Sequence, residues 1–486
     1  MNDLTFLPAV VMAQQIQRKM ISPVELVEAH LAQIEKLNPG LNAFVQVGAE
    51  QARRAAHDAE ATVMHEKSLG PLHGVPVSIK SCLAVAGMRC ESGTRLRAGF
   101  LPTQDAPLVA RLRAAGAIVL GVTNTPELLM AWETDNLLYG RTNSPWDLER
   151  TPGGSSGGEA AAIAAGMSAG GVGSDGGGSI RVPAHFSGIC GLKPTPGRIP
   201  ATGHYPASAG PFALIGVVGP MARTVADLKV LFEVMQGPDI GDACAAPVPV
   251  RWPSDDDLKK LRIGYFEDDG RTPVTPATRV AVRRAAAALR DAGFQVDYFQ
   301  PEGLKEARQL WHTFFVVAGG MLLRPMFKGR EADLSPLLKQ FLEWSVAEPV
   351  LTGETLLDAW IRVDELRARF LAQMQQYPIL LCPAAAIPAF RHGERSWQVE
   401  GKTVHYLDAW SYTEFFNLLG NPAAVVPVSH SPEGLPIGVQ IVGRPWEEEQ
   451  VFSVAAALEK QCGAWRIPPK GIVGQRAYGP APKSTK

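Results

Sequence analysis

The stretch GGSSGGEAAAIAAGMSAGGVGSDGGGSIR, residues 153–181, decides the fold of this 486-residue chain. Eleven of its 29 residues are glycine and five are serine. Glycine at this density indicates backbone in conformations that other residues avoid, or backbone that lies close to a ligand. Two polar glycine clusters, 153–158 and 174–181, flank an alanine-rich run, 159–166, that predicts a helix. The serines of interest in these clusters are Ser155 and Ser156 in the first and Ser179 in the second.

Two common explanations of a glycine-rich stretch fit this one poorly. A flexible Gly/Ser linker would lack the central alanine and isoleucine run, and it would not end in the segment IRVP at 180–183. Gly171, Gly173 and Gly176 match the GxGxxG dinucleotide fingerprint, which needs an acidic residue about 20 positions further on for the ribose. No Asp or Glu occurs between residues 176 and 226, and the sequence therefore argues against that fingerprint.

Two catalytic motifs also have to be weighed. Residues 153–157 match GxSxG, the nucleophile elbow, which needs an acid and then a histidine downstream. Asp408 and His430 are candidates for those roles, although no motif marks either of them. A phosphate-binding loop needs Gly-Lys-Ser/Thr, which occurs only at 401–403, and there Ser396 replaces the first glycine of the motif. The elbow stays open as an alternative, and a phosphate loop is not indicated.

Composition and charge limit the classes of partner. The formal net charge of −1 gives no electrostatic case for nucleic acid or an anionic membrane surface. Six scattered cysteines with no CxxC argue against a metal site and a disulfide framework, and they fit a reducing cytosol. The first 20 residues carry Asp3, lack a basic region, and contain an apolar stretch too short to span a membrane. We expect a cytoplasmic protein without metal, cofactor or membrane span.

Apolar periodicity predicts strands that alternate with helices, which is typical of an α/β protein. A capping box with proline, SPVE at 22–25, predicts a helix that begins there and ends at 38–40, where the sequence is Asn-Pro-Gly. Residues 237–257, rich in Pro, Asp and Ala, predict a surface connection. The predicted strands are 43–47, 75–79, 117–122, 261–265, 295–298, 379–382, 421–428 and 437–442, and the further helices are 50–61, 225–235, 280–292 and 355–375.

Large apolar side chains are concentrated between residues 310 and 344. They are Trp311, Phe314, Phe315, Met321, Leu322, Leu323, Met326, Phe327, Phe341 and Trp344. They form either a helical core or, in part, the lining of a substrate channel, and the sequence leaves both interpretations open.

The glycine-rich motifs resemble the amidase signature family of serine hydrolases, and bacterial amidases and fatty-acid-amide-hydrolase-like members more than the amidotransferase glutaminase subunit. The matching motifs are GGSSGG at 153–158, GSDGGGSIRVPA at 173–184, GICGLKPT at 188–195, GVPVSIK at 74–80 and GLPIGVQ at 434–440. The likeness is densest over about 70–225 and weak over the helix-rich part, about 240–375. It implies a single domain over 1–486 with the amidase signature fold, an α/β/α arrangement in which helices cover a mixed, twisted central sheet.

A serine nucleophile needs a base, and no histidine motif supplies one. A lysine can serve when burial lowers its pKa so that the amine is neutral near pH 7. The resemblance implies that Ser179 is the nucleophile and that Ser155, after a cis peptide bond from Gly154, bridges to the base. The base would be Lys80, which follows the VPVSI strand.

The resemblance also implies supporting roles around this triad. The backbone N–H groups of Gly176, Gly177, Gly178 and Ser179 are expected to form the oxyanion hole, where each donor is worth roughly 2.7–4 kcal/mol. We expect Ser156 to support the loop without joining the relay. The charged pair Asp175 and Arg181 is interpreted as scaffold.

The predicted reaction is hydrolysis of a carbon–nitrogen amide bond through an acyl-enzyme, with esters and carbamates as side substrates. Leu129, Met130 and Trp132 fall on a segment that lines the acyl channel in lipid- and aryl-amide-cleaving relatives, and a hydrophobic acyl or aryl group is therefore expected. The alternative is the glutaminase subunit of a tRNA-dependent amidotransferase, which usually carries an acid before the Gly-Pro near 219; here 208–218 is apolar. The expected partner is a small-molecule amide, and a homodimer is one assembly that the sequence allows.

Overall fold

The computed structural model describes residues 4–65, 69–346, 350–463 and 465–469, and in these ranges helices flank a large mixed sheet. The described strands are β1 Phe44–Val47, β2 Pro76–Lys80, β3 Ile118–Thr123, β4 Gly170–Asp175, β5 Cys190–Lys193, β6 Val217–Ala222, β7 Arg262–Tyr265, β8 Gln295–Tyr298, β9 Ile379–Pro383, β10 Ser396–Val399, β11 Lys402–His405, β12 Ala423–His430 and β13 Pro436–Val442. The described α-helices are α1 Ala9–Gln17, α2 Pro23–Leu41, α3 Ala49–His65, α4 Pro107–Ala114, α5 Gly157–Ala164, α6 Arg181–Ser187, α7 Pro211–Ile215, α8 Val225–Met235, α9 Asp255–Lys260, α10 Pro276–Asp291, α11 Leu304–Trp311, α12 Gly319–Leu323, α13 Pro336–Trp344, α14 Gly353–Gln373, α15 Ser411–Leu418 and α16 Glu448–Cys462.

Eleven strands form one sheet in the order β1-β3-β2-β4-β6-β5-β12-β13-β9-β7-β8, and β10 pairs with β11 in a separate hairpin. The pairs β2–β3, β2–β4, β7–β8 and β7–β9 are parallel, and the others in the sheet are antiparallel. The sheet joins distant parts of the sequence, because β5 pairs with β12. The expected mixed α/β sheet is therefore confirmed.

Two large apolar clusters lie on opposite faces of this sheet. The first joins the strands to α4, α8, α10 and α16, and the second joins them to α6, α11, α14 and α15. In β9, Leu381 belongs to the first cluster while Leu380 and Cys382 belong to the second. Successive side chains of a strand point to opposite faces, and a strand buried on both sides therefore reads as a continuous apolar run.

The central strand β4 has the sequence GGVGSD and was not predicted, because glycine weakens a strand and hides its periodicity. Its glycines are required by packing. A Cβ on Gly171 would lie 2.0 Å from Glu159 Oε1 and 2.2 Å from the Ser78 carbonyl oxygen. The glycines thus allow α5 to pack directly on the sheet, and Glu159 accepts hydrogen bonds from Ser78 Oγ at 2.5 Å and Thr123 Oγ1 at 2.8 Å.

The predicted end of α2 is wrong by a few residues. The capping box at Ser22 is present, but the helix continues through Pro39 to Leu41 and closes at Asn42, which has a left-handed conformation. Asn38 explains the difference, since its Oδ1 accepts the N–H groups of Ala43 and Phe44 at 2.8 Å each. The Asn-Pro-Gly signal therefore lies in the last turn of the helix and not beyond it.

The aromatic-rich segment forms a broken helical run. It consists of α11, a π-helical stretch from His312 to Ala318, α12, and a short 3₁₀ turn that ends at Phe327. The run is long and apolar enough to cross a membrane, but 56% of its most apolar window is buried inside the protein. That burial is typical of a core helix.

Candidate active site

The candidate site lies where β2 and β4 end. These strands are parallel neighbours, with Ile79 opposite Val172, so Lys80 and Ser174 emerge at the same edge of the sheet. The loop before α5 brings Ser155 to this edge, and the turn after β4 brings Ser179. Ser155 and Ser179 line one cleft with an empty volume of about 510 Å³, its open mouth included.

Lys80 is fully buried and its amine has only hydroxyl and carbonyl partners. Nζ donates to Ser155 Oγ at 2.6 Å and to Ser174 Oγ at 3.0 Å. Burial lowers the pKa of Lys80 to about 8, although the negative charges of Cys82, Asp175 and Glu159 act in the opposite direction. A lysine in this setting can accept a proton near neutral pH.

The first glycine cluster is held tightly around Ser155. The peptide bond between Gly154 and Ser155 is cis. A Cβ on Gly154 would lie 2.5 Å from the Glu133 carbonyl oxygen, and glycine is therefore needed for this close approach. Ser156 N–H donates to the Ser179 carbonyl at 3.1 Å, and Ser156 Oγ donates to the Ser174 carbonyl at 3.3 Å. Ser156 thus ties the two serine-bearing loops together, as a supporting residue would.

Asp175 organises the turn that carries Ser179. Its carboxylate accepts the N–H groups of Gly178 at 2.7 Å and Ile180 at 3.0 Å, and it pairs with Arg181 at 2.9 Å. Burial alone would raise the pKa of Asp175, but the Arg181 charge and hydrogen bonds from Arg181 and Asn417 hold it well below its usual range. These contacts agree with the scaffold interpretation.

Asn417 and Gln440 complete that buried network, and sequence reasoning missed both of them. Arg181 Nη2 donates to Asn417 Oδ1 and Nη1 donates to Gln440 Oε1 at 2.6 Å. Asn417 Nδ2 also donates to Asp175 Oδ1 at 3.0 Å. The only available signal was that Gln440 ends the GLPIGVQ motif; nothing marked Asn417.

Indole groups hold the carbonyls of the glycine turn from below. Trp311 Nε1 donates to the Gly176 carbonyl at 2.8 Å, and Trp132 Nε1 donates to the Gly177 carbonyl at 2.7 Å. A trans peptide places N–H opposite C=O, so the Gly177 N–H points away from Trp311. Within the described residues the N–H groups of Gly176, Gly177 and Ser179 make no hydrogen bond, whereas that of Gly178 is committed to Asp175.

The residues expected to bind substrate separate into two groups. Leu129 and Met130 line the cleft with Leu128. Leu128 and Leu129 have φ angles of 47° and 70°, which bulky residues rarely adopt, and such strain is common next to ligand sites. Trp132 does not line the cleft: it is buried beneath the glycine turn, where its ring stacks on Trp410 at 5.9 Å.

Two further ionisable residues near Lys80 were not singled out from the sequence. Cys82 Sγ lies 3.6 Å from Ser174 Oγ, and His204 lines the cleft. Burial would raise the pKa of the Cys82 thiol, but the charges of His204 and Lys80 outweigh it and bring the pKa to about 7. Cysteine spacing could not reveal this, because His204 is 122 positions away in the sequence.

The nucleophile-elbow alternative finds no support in the described structure. Asp408 pairs with Arg308 at 2.8 Å, and the His430 ring packs against Trp146 with centroids 5.4 Å apart. Neither residue lines the cleft that contains Ser155.

Comparison with known proteins agrees with this site. A model of the amidase family matches residues 25–452. The chain is similar to indoleacetamide hydrolase of Bradyrhizobium diazoefficiens, 35% identical over 464 residues that cover 94% of this chain and 86% of that protein. It is also similar to one component of the glutamyl-tRNA(Gln) amidotransferase of Chloroflexus aurantiacus, 34% identical with 90% of this chain and 93% of that protein covered.

A solved structure of fatty acid amide hydrolase superimposes with a TM-score of 0.85 at 26% identity, covering 95% of this chain and 86% of that one. The likeness in sequence and the likeness in fold thus point to the same group of enzymes. The resemblance inferred from the glycine motifs is confirmed: the chain belongs to the amidase signature family and is an amide-hydrolysing enzyme.

Proposed function

We propose that the chain hydrolyses amides with a hydrophobic acyl or aryl group, through an acyl-enzyme on Ser179. Ser179 Oγ attacks the amide carbonyl carbon, and its proton passes through Ser155 Oγ to Lys80 Nζ. The proton then returns to the nitrogen, the C–N bond breaks and the amine leaves. A water molecule, deprotonated by the same route, hydrolyses the acyl ester and restores Ser179.

The observation that carries this proposal is the 2.6 Å contact between Lys80 Nζ and Ser155 Oγ inside a fully buried site. The low pKa of the amine makes a neutral, proton-accepting Lys80 accessible near neutral pH. The hydroxyl of Ser155 can pass on a proton because it both donates and accepts.

One link of the relay is supplied by the proposal. In the part of the chain that the structure describes, the Ser179 hydroxyl makes no hydrogen bond, although Ser179 and Ser155 line the same cleft. Catalytic hydrogen bonds are often loose without substrate and tighten in the reacting complex. A rotation of the Ser179 side chain toward Ser155 is therefore part of the proposed mechanism.

The oxyanion would be held by the glycine turn. The N–H groups of Gly176, Gly177 and Ser179 have no partner among the described residues, and they flank the proposed nucleophile. Gly178 remains a predicted donor only if its N–H exchanges Asp175 for the oxyanion. Preorganised donors of this kind are worth roughly 2.7–4 kcal/mol each in the transition state.

The lining of the cleft supports a hydrophobic substrate. Its apolar side chains are Leu128, Leu129, Met130, Phe212, Val217 and Phe315. Asp175 and His204 are the ionisable lining residues, and the Asp175 charge is already neutralised by Arg181. A glutamine substrate would bring an ammonium and a carboxylate into this cleft, and those charges would lose water without gaining an unpaired counter-ion.

The relatives fit the same substrate class. Indoleacetamide hydrolase and fatty acid amide hydrolase are named for an aryl-substituted and a long-chain amide, respectively. Esters and carbamates present the same carbonyl geometry, and we propose them as weaker substrates. Trp132 keeps only a predicted part in this selectivity, through the turn above it.

We also propose that the protein works in the cytoplasm as one domain. Six free cysteines, four of them buried, are consistent with a reducing compartment. The homodimer stays a prediction without structural support.

A panel of substrates tests the proposed function. The purified chain is assayed with arylacetamides, fatty amides, anilides, esters, carbamates and glutamine. We expect kcat/KM for the best apolar amide to exceed that for glutamine by about 10²-fold or more, because each lost apolar contact and each stranded charge costs selectivity. Preferred turnover of glutamine, or activity only with a co-purified partner protein, would favour the amidotransferase instead.

A further inference from the structure

A substrate-facing aromatic ring is stacked directly on the indole that holds the glycine turn. Phe315 lines the cleft, and its ring stacks on Trp311 with centroids 4.9 Å apart and an interplanar angle of 15°. Trp311 in turn donates its Nε1–H to the Gly176 carbonyl at 2.8 Å. The residue that would meet the acyl group is therefore one ring away from the peptide between Gly176 and Gly177.

Direct packing strengthens this connection. A Cβ on Gly176 would lie 2.6 Å from Phe315 Cε2, and a Cβ on Gly177 would lie 2.6 Å from Trp311 Cζ2. The two rings thus touch the two glycines at van der Waals distance, with no room between them. A shift of Phe315 or Trp311 cannot be absorbed by a gap, and densely packed groups transmit such shifts.

The helix between the two rings has an unusual geometry. Phe315 lies in the π-helical stretch His312–Ala318, which begins immediately after Trp311. The wider turn of a π-helix places residues i and i+4 almost in line, and π-helical turns are frequent at functional sites. Phe315 also contacts Phe212, another cleft residue, edge to face at 5.7 Å.

We propose that Trp311 is a positioning residue that couples occupancy of the acyl end of the cleft to the Gly176–Gly177 peptide. An acyl chain that packs on Phe315 presses it onto Trp311, and the indole then holds the Gly176 carbonyl. This orients the Gly177 N–H toward the oxyanion. The inference rests on the proposed function and adds that a longer acyl chain raises kcat as well as lowering KM.

Trp132 provides an internal comparison. It holds the next carbonyl, that of Gly177, through its own Nε1 and is helped by Thr413 Oγ1 at 3.0 Å. Trp132 lacks a place in the cleft lining, so no acyl group acts on it directly. The fold thus contains one clamp that senses the substrate and one that does not.

The test is a series of p-nitroanilides from acetyl to octanoyl, measured as separate kcat and KM values. In the unchanged protein we expect kcat to rise about tenfold or more along the series. In Phe315→Leu and Trp311→Phe, kcat should be nearly independent of acyl length, while KM still falls with length. Trp132→Phe should lower kcat by a similar factor for every substrate.

Phe314→Leu is the matched control, because Phe314 lies in the same π-helical stretch but is fully buried against Trp360, away from the cleft. It should keep the unchanged protein's dependence of kcat on length. If Trp311→Phe does not fold, as judged by thermal unfolding, Phe315→Leu carries the test alone. An unchanged slope of kcat in Phe315→Leu, or a loss of slope in Phe314→Leu, overturns the coupling.

Failure of the proposed function has a different signature. If no acyl anilide is turned over, or if turnover survives Ser179→Ala, both the function and the coupling fall. If turnover depends on Ser179 but kcat is flat with length in the unchanged protein, only the coupling is wrong.

Discussion

The glycine-rich core at 153–181 and the helical segment at 304–344 contribute to the same cleft, but they differ in what determines their residues. In the core, glycines are required by backbone contacts such as that of Gly154 with Glu133. In the helical segment, side chains such as Phe315 are needed for shape and contact, which several apolar residues could supply. The comparison suggests that the core carries the chemistry and the helical segment carries the selectivity.

The largest effect is expected in the core at Lys80. Lys80→Met should lower kcat by about 10⁴-fold or more, since the relay loses its base. The fold should persist, because replacing a buried amine by an apolar side chain of similar length removes a desolvation cost. Steady-state kinetics and thermal unfolding measure the two effects. A variant with nearly normal kcat would transfer the chemistry away from Lys80.

The two adjacent serines sharpen the picture of the core. Ser155→Ala removes the hydroxyl that contacts Lys80 and should cost about 10²–10⁴-fold in kcat. Ser156→Ala removes a hydroxyl that bonds only to Ser174 backbone atoms and should cost clearly less. A larger loss in Ser156→Ala than in Ser155→Ala would mean that the relay runs through the wrong hydroxyl.

The pH dependence tests the charges that surround the base. Activity should rise with pH through an apparent pKa of about 8, because Lys80 must be neutral to accept the proton. Cys82, Asp175 and Glu159 face Lys80, and their negative charges raise its pKa. Cys82→Ser removes one such charge, so the midpoint should move to lower pH and the rate at pH 7 should rise about two- to tenfold.

Cys90→Ser is the control for that experiment. Burial raises the pKa of Cys90 to about 12, and this thiol therefore stays uncharged near neutral pH. The midpoint of its pH–rate profile should match that of the unchanged protein. A midpoint that moves upward in Cys82→Ser would contradict the assigned direction.

The smallest effect is expected in the wall of the cleft. Met130→Trp should shorten the preferred acyl group, because the larger ring fills space beside the proposed nucleophile. Each excluded methylene should cost about 0.8 kcal/mol, or roughly fourfold in kcat/KM. Met321→Trp is a matched control, since Met321 is exposed outside the cleft. Equal length preferences in the two variants would show that Met130 does not limit the acyl group.

The difference between the regions also explains what the sequence could predict. Lys80, Ser155 and Ser179 were named as site residues because their motifs are long and ordered, and the structure places all three around one cleft edge. The flanking strands followed from apolar runs. Strand β4 did not, because its glycines are dictated by helix packing against Gly171 and carry no strand signal.

Long-range contacts account for most of what was missed. Asn417 is 236 positions from Arg181, and no local pattern could bring the two together. Trp311 and Phe315 were noted as part of an aromatic cluster, but only the structure separates the ring that supports the turn from the ring that faces the cleft. Trp132 was expected to touch substrate, whereas it lies beneath the turn.

The central claim is that Ser179 forms the acyl-enzyme, and intact-protein mass spectrometry tests it most directly. The protein is treated with an alkyl fluorophosphonate, alone or after incubation with an excess of an apolar amide. The account predicts one stoichiometric adduct, mapped by peptide sequencing to Ser179, slowed by the amide and absent from Ser179→Ala. An adduct of the same stoichiometry in Ser179→Ala, or one mapped to Ser155 or Cys82 in the unchanged protein, would contradict it.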